Sequence, residues 1–124
     1  MDHVQQALAE MMKIKGALGA AVVDYVSRVT LGTIGTETAP DLGKAGEVDT
    51  DVIRAKLHAL SVLGYSPDDL EDILVTLTDE VHLIKPLAQR RQQGVFIYLV
   101  MDRHRAPLAV ARARLHEIER DLEL

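Results

Sequence analysis

The chain contains no cysteine and no tryptophan. Without cysteine there is no disulfide framework and no thiol nucleophile, which fits a reducing, cytoplasmic setting. Aromatic residues make up only 3% of the 124 positions: Phe96 and three tyrosines. So few aromatics argue against stacking platforms for single-stranded nucleic acid, and the core has to be built from Leu, Val, Ile, Met and Ala. Basic side chains are also in the minority. Fourteen Lys and Arg against 19 Asp and Glu leave a formal charge of −5, the wrong sign for a phosphate backbone, so no nucleic-acid partner is expected. No apolar run approaches the ~20 residues that span a bilayer. The opening Met1-Asp2-His3-Val4 lacks the charged and apolar blocks of a signal peptide. A soluble cytoplasmic protein without membrane insertion is the expectation.

What is present is a hydrophobic fraction of 48% in a chain of single-domain size, enough for a core without staples. Val4, Leu8, Met11 and Met12 are spaced for an amphipathic helix from Asp2 to about Ile14. Ala20–Tyr25 and Val29–Ile34 read as two strands of a tight hairpin. Gly35–Val48, with three glycines and Pro40, reads as a loop and the most mobile stretch. Asp49 or Thr50 is suited to cap a second helix, Asp51 to about Leu63, closed by Gly64. After the Ser66-Pro67-Asp68-Asp69 turn come three strand-like runs: Asp72–Thr78, Val81–Leu87 and Val95–Met101. Their short connections favour an antiparallel meander. A last helix runs from about Ala106 to Leu122, with Pro107 in its first turn. The order is α-β-β-α-β-β-β-α, with no repeat or linker, so residues 1–124 form one domain.

Two patterns bear on packing. Val95–Met101 is apolar at every position; since side chains alternate between faces, this strand needs cover on both sides and belongs at the centre of the sheet. The second helix is apolar over an arc of roughly 220°, whereas one buried face needs little more than ~100°. That arc comprises Val52, Ile53, Ala55, Leu57, Ala59, Leu60, Val62 and Leu63, broken only by Lys56. A second contact, to a partner chain, accounts for the excess, against the plainer reading of Ala55, Ala59 and Val62 as scattered surface residues. With an open edge strand nearby, the combination points to a symmetric homodimer.

Catalytic and metal chemistry find little support. Gly43-Lys44 lacks the glycine and Ser/Thr of a phosphate-binding loop. His3, His58, His82, His104 and His116 form no metal-binding spacing. The acidic run Asp68, Asp69, Glu71, Asp72 reads as a polar turn rather than a calcium loop. Arg90-Arg91 reads as a solvated hairpin tip, and Arg103, Arg105, Arg112 and Arg114 leave an anion site open as a reading. No acid, base and nucleophile converge, so neither an enzyme nor a cofactor is expected.

The stretch Ile14–Tyr25, and then Glu71–Leu77, His82–Leu87, Phe96–Arg103 and Leu108–Arg112, resemble bacterial, and especially actinobacterial, members of the roadblock (dynein light-chain) family. The resemblance extends over nearly the whole chain and rests on order and spacing. Two departures stand out: Ser27-Arg28 where members commonly carry glycine, and Ala106-Pro107 where they tend to carry Asn. The resemblance implies an α+β, three-layer α/β/α sandwich of roadblock/profilin-like type. Its five-stranded antiparallel sheet carries one helix on one face and two on the other. It also implies a homodimer through the middle helix and an edge strand, and a Ras-like GTPase as partner, whose GTP hydrolysis some bacterial members stimulate. On this reading Ile53, Leu57, Leu60, Leu74 and Thr76 form the dimer interface, and Arg54, His58 and Ser61 contact the partner. The alternatives are a small-molecule sensor or a scaffold domain of a signalling complex.

Overall fold

The computed structural model describes residues 3–88 and 94–122; the Arg90-Arg91 pair lies outside them. Helix α1 (His3–Met12) leads into strands β1 (Ala17–Asp24) and β2 (Val29–Gly35), then helix α2 (Leu42–Val62). A short 3₁₀ turn (Pro67–Asp69) precedes β3 (Ile73–Thr76), β4 (Glu80–Pro86), β5 (Val95–Asp102) and helix α3 (Leu108–Asp121). The five strands form one sheet in the order β2-β1-β5-β4-β3, antiparallel throughout. The uniformly apolar strand is central, as its pattern requires: every residue from Val95 to Met101 is buried.

Alternation divides those residues between two cores. Val22, Leu83, Ile97, Leu99 and Met101 meet Leu8 and Met11 of α1 and Leu115 and Ile118 of α3. On the other face, Val23, Ile84, Phe96, Tyr98 and Val100 meet Leu42 and Ile53 of α2. The arrangement is the expected α+β sandwich, with one helix on one face and two on the other.

The largest departure from the sequence reading lies in Gly35–Val48, which is not a loop beyond Asp41. Helix α2 begins at Leu42, capped by Asp41, whose carboxylate accepts the Lys44 N–H at 3.0 Å. Asp49 and Thr50 are therefore interior residues rather than caps. Thr50 is fully buried, its hydroxyl donating to the Gly46 carbonyl at 2.9 Å. The glycines that suggested a loop have a packing reason. A Cβ at Gly46 would lie 2.5 Å from Thr30 Oγ1 and 3.0 Å from Val23 Cγ2, so the first turns of α2 press directly onto the sheet. Gly46→Ala is expected to lower stability by about 1–3 kcal/mol despite the better helix propensity of alanine. Gly43→Ala, where the nearest atom is Asp41 Oδ1 at 3.7 Å, is expected to gain up to about 1 kcal/mol. Urea unfolding of the two variants checks the contrast.

Smaller corrections concern ends. Gly64, at φ +89°, follows α2 in the left-handed conformation that closes helices, as expected. Strand β3 is shorter than predicted because Leu77 N–H turns back to the Glu80 carbonyl at 2.8 Å. Pro107 sits just before α3 rather than in its first turn, and its carbonyl accepts the Ala111 N–H at 2.9 Å. No helix among the described residues is long and apolar enough to cross a membrane.

Candidate interaction surface

Over its 21 residues, α2 presents three distinct faces. The inward row is Leu42, Gly46, Thr50 and Ile53, all buried, continued by half-buried Leu57 and Leu60. On the outward side of the helix, about 150° round from it, runs a second row: Val48, Val52, Ala55, Ala59 and Val62. Its 4-3-4-3 spacing keeps these residues in one line along the helix. Val48 is 53% exposed, Val52 41% and Val62 73%. Exposed Leu63 and Tyr65 extend the apolar surface beyond the end of the helix.

The flanks of α2 are oriented by their contacts. Asp51 pairs with Arg28 in the β1–β2 turn, so the polar flank, carrying Glu47, Asp51, Arg54, His58 and Ser61, faces the β2 side of the sheet. Arg28 holds the Asp51 carboxyl below its ordinary range. The opposite flank, which carries Asp49, faces β4, and the apolar row points away from the sheet. On that flank Asp49 faces His82 of β4, which is the register partner of Val75 in β3.

The two sheet edges differ. Strand β2 is interrupted: the register passes from Val22↔Gly32 to Val23↔Thr30, leaving Leu31 as a bulge. Bulges blunt edges against further pairing. Strand β3 pairs residue for residue with β4 from Ile73 to Thr76 and carries no bulge or charge. Helix α2 packs chiefly on β1 and β2 and only lightly on β4, which leaves an open trough between the helix and the β3 edge. Ile73 and Val75 share the α2 face through their register with Ile84 and His82, and Val75 is exposed.

The predicted residues sort accordingly. Ile53 is fully buried in its own core. It is therefore not available to a second chain, because it lies on the inward row. Leu57 and Leu60 are half-buried between inward and outward faces. Leu74 and Thr76 are exposed edge residues, but they share the opposite face of the sheet through Leu83 and Val81; only the β3 backbone joins them to the α2 side. Arg54, His58 and Ser61 are exposed and lie together on the polar flank. Of this surface, Val48 and Val75 appear neither among the interface residues expected from the sequence nor in its apolar arc. Val48 was missed because it was placed in a loop; extending the helical period upstream from Val52 finds it.

Beneath the α2–β3 trough lies a polar cluster. Glu80 Oε1 is 2.9 Å from His82 Nε2, and His82 Nδ1 is 2.8 Å from the Tyr98 hydroxyl. The two rings meet edge-on at 5.5 Å. Burial, then the nearby Asp49 and Glu80 carboxylates, push the Tyr98 phenol above its ordinary range. Asp49 Oδ2 is covered and has no hydrogen-bond partner among the described residues. Burial pushes the Asp49 carboxyl up, against the opposing pull of His82.

Of the arginines that left an anion site open, Arg112 and Arg114 are engaged by carboxylates. Arg112 makes two bonds to Asp72, 2.9 and 3.0 Å, and Arg114 reaches Glu10 at 2.6 Å and Glu117 at 3.0 Å. Arg103 donates to the Leu77 carbonyl at 3.1 Å. The acidic run is likewise structural: Asp69 accepts the Ser66 N–H at 2.9 Å in a capping box. Among the described residues, no three His, Asp or Glu side chains are placed to hold one metal ion.

Against solved structures, this arrangement superposes on an MglB in a tetrameric arrangement with a TM-score of 0.79 at 16% identity, over 98% of this chain and 88% of that one. Myxococcus xanthus MglB gives 0.79 at 13% identity, over 98% and 94%. A Roadblock/LC7 domain from Streptomyces avermitilis gives 0.74 at 9% identity, over 94% and 91%. The chain has the roadblock fold. At such identities the likeness extends to the fold alone. No family model matches the sequence, and no curated protein does. Within this roadblock fold, Arg28 takes φ 64°, a conformation that favours glycine. That is the stretch where the resemblance expects one; here Asp24 Oδ1 stabilises the turn instead, accepting the Val26 and Ser27 N–H groups at 2.9 and 3.1 Å.

Proposed function

We propose that this roadblock-fold chain is a non-enzymatic adaptor that pairs with a second copy of itself through the α2 row and the β3 edge, and that the pair engages a small Ras-like GTPase. The observation that carries the reading is the outward row Val48, Val52, Ala55, Ala59, Val62 on a molecule that also has an unbulged strand edge at β3. An apolar stripe and an open edge can both be relieved by one two-fold contact, which extends the sheet and buries the stripe. The tetrameric arrangement of a related MglB structure supports self-association as a property this fold accommodates.

In that pairing the polar flanks of both α2 helices stay outside, so Arg54, His58 and Ser61 line a surface on each copy. The GTPase follows from the family resemblance, and this surface is the place assigned to it. The test is capture from native cytosol by immobilised protein, with the extract loaded with GDP or with a non-hydrolysable GTP analogue. A Ras-like GTPase recovered by wild type and lost with Arg54→Glu/His58→Glu is the expected result. No GTPase in either nucleotide state overturns the partner assignment. Adding the purified chain to the captured GTPase then separates stimulated hydrolysis from passive scaffolding.

A further inference from the structure

The polar cluster under the trough gives the proposed pairing a property of its own. Asp49 leaves α2 on the flank that faces β4 and turns toward the sheet, with one carboxylate oxygen fully covered and unpaired among the described residues. The charged and titratable groups around it come from two strands. From β4 come Glu80 and His82, and from β5 Tyr98. From β3 the same face offers only Ile73 and Val75. Asp102, register partner of Glu80, is turned to the His104 N–H at 2.9 Å, and Asp79 lies 3.3 Å from His104 Nε2. Both ring nitrogens of His82 are already engaged, by Glu80 and by Tyr98. The cluster thus holds two carboxylates around one imidazole, and the single chain screens the Asp49 charge only through the solvent left to it.

We propose that pairing of two copies is proton-linked through Asp49: the second α2 that closes the trough removes the remaining solvent, and the Asp49 carboxyl takes up a proton as it does so. The proposal rests on the self-association reading above. A carboxylate in a dry seam without a donor is costly, and neutralisation is the route buried acids take. The sign follows from linkage: the covered state binds more protons, so association tightens as pH falls and weakens as pH rises through the range in which Asp49 ionises. The same sign holds within one chain, where the raised Asp49 costs stability once it is ionised.

The experiment is sedimentation equilibrium of the full chain at constant ionic strength, at about pH 8 and about pH 5.5, for wild type, Asp49→Asn and Asp51→Asn. Wild type and the Asp51→Asn control are expected to pair about tenfold or more tightly at the lower pH. Asp49→Asn is expected to lose most of that dependence and to pair at pH 8 as wild type does at pH 5.5. Should Asp49→Asn not fold, dilution calorimetry of wild type in two buffers of different ionisation enthalpy reads the same quantity. Protons released on dissociation support the proposal; none released overturns it. Affinity that falls with pH overturns it too, because Asp49 would then be ionised in the seam and paired with a cation of the second copy. Single chains at every pH remove the self-association reading itself, whereas a pH-independent dimer removes only the proton linkage.

Discussion

Two acidic substitutions on the outward row of α2, Val52→Glu with Ala59→Glu, are expected to turn the paired species into single chains, with a loss of affinity of a hundredfold or more. In the single chain Val52 is 41% exposed and Ala59 half-buried, both outside the core beneath the helix, so the fold loses little by the change. In an isologous contact every substitution occurs twice, and four carboxylates then enter one seam. Burying even one unpaired polar group costs on the order of 1–3 kcal/mol, and a charge costs more; about 2.7 kcal/mol already corresponds to a hundredfold. Sedimentation velocity at low micromolar concentration measures the effect, with thermal unfolding as the control. A dimer that survives both substitutions places the contact elsewhere.

The second large effect belongs to the fold. Leu99→Ala is expected to lower unfolding free energy by about 2–5 kcal/mol, a large part of the 5–15 kcal/mol typical of a domain. Leu99 is fully buried at the middle of β5, paired with Ala20 on one side and Leu83 on the other. Its core neighbours come from both α1 and α3, so the cavity has no flexible wall to collapse into. Val110→Ala, on the exposed side of α3 at 60% exposure, is expected to change stability by less than about 0.5 kcal/mol. Urea unfolding of the pair tests the assignment of the central strand. A Leu99→Ala cost near that of Val110→Ala would be incompatible with β5 at the centre.

Much of the architecture was legible because it rests on local periodicity. The 3-4 spacing along α3 and the unbroken apolar run of β5 each state, without reference to the rest of the chain, how many faces must be covered. What misled was composition. Gly43, Gly46 and Pro40 read as loop signals, yet Gly46 is a helical residue chosen for contact with Thr30 and Val23. A glycine selected for close approach looks the same in sequence as one selected for a turn. The arginines near α3 were equally ambiguous, since Arg112 and Asp72 are 40 residues apart in sequence, and no spacing rule anticipates such a pair.

The candidate surface was legible by half. Excess apolar character on the second helix was visible from its angular width, but the division into inward and outward rows was not. Ile53 and Val52 are adjacent and equally apolar; one is fully buried and the other is an exposed member of the outward row. Only the sheet beneath the helix tells them apart. The Asp49 cluster was invisible for a related reason: its members come from α2, β4 and β5, and meet only when those elements stack.

By itself, then, the sequence determined the classes of element, the central strand and the presence of one helix with too much apolar surface, because each follows from periods of two or 3.6 residues that a chain carries locally. The tertiary structure alone decided which side of that helix is outward, which of two sheet edges is free of a bulge, and which acid, among the described residues, is covered without a hydrogen-bond partner. These are set by register and by the way a helix is seated on its sheet, and contacts between distant segments are written in no local pattern.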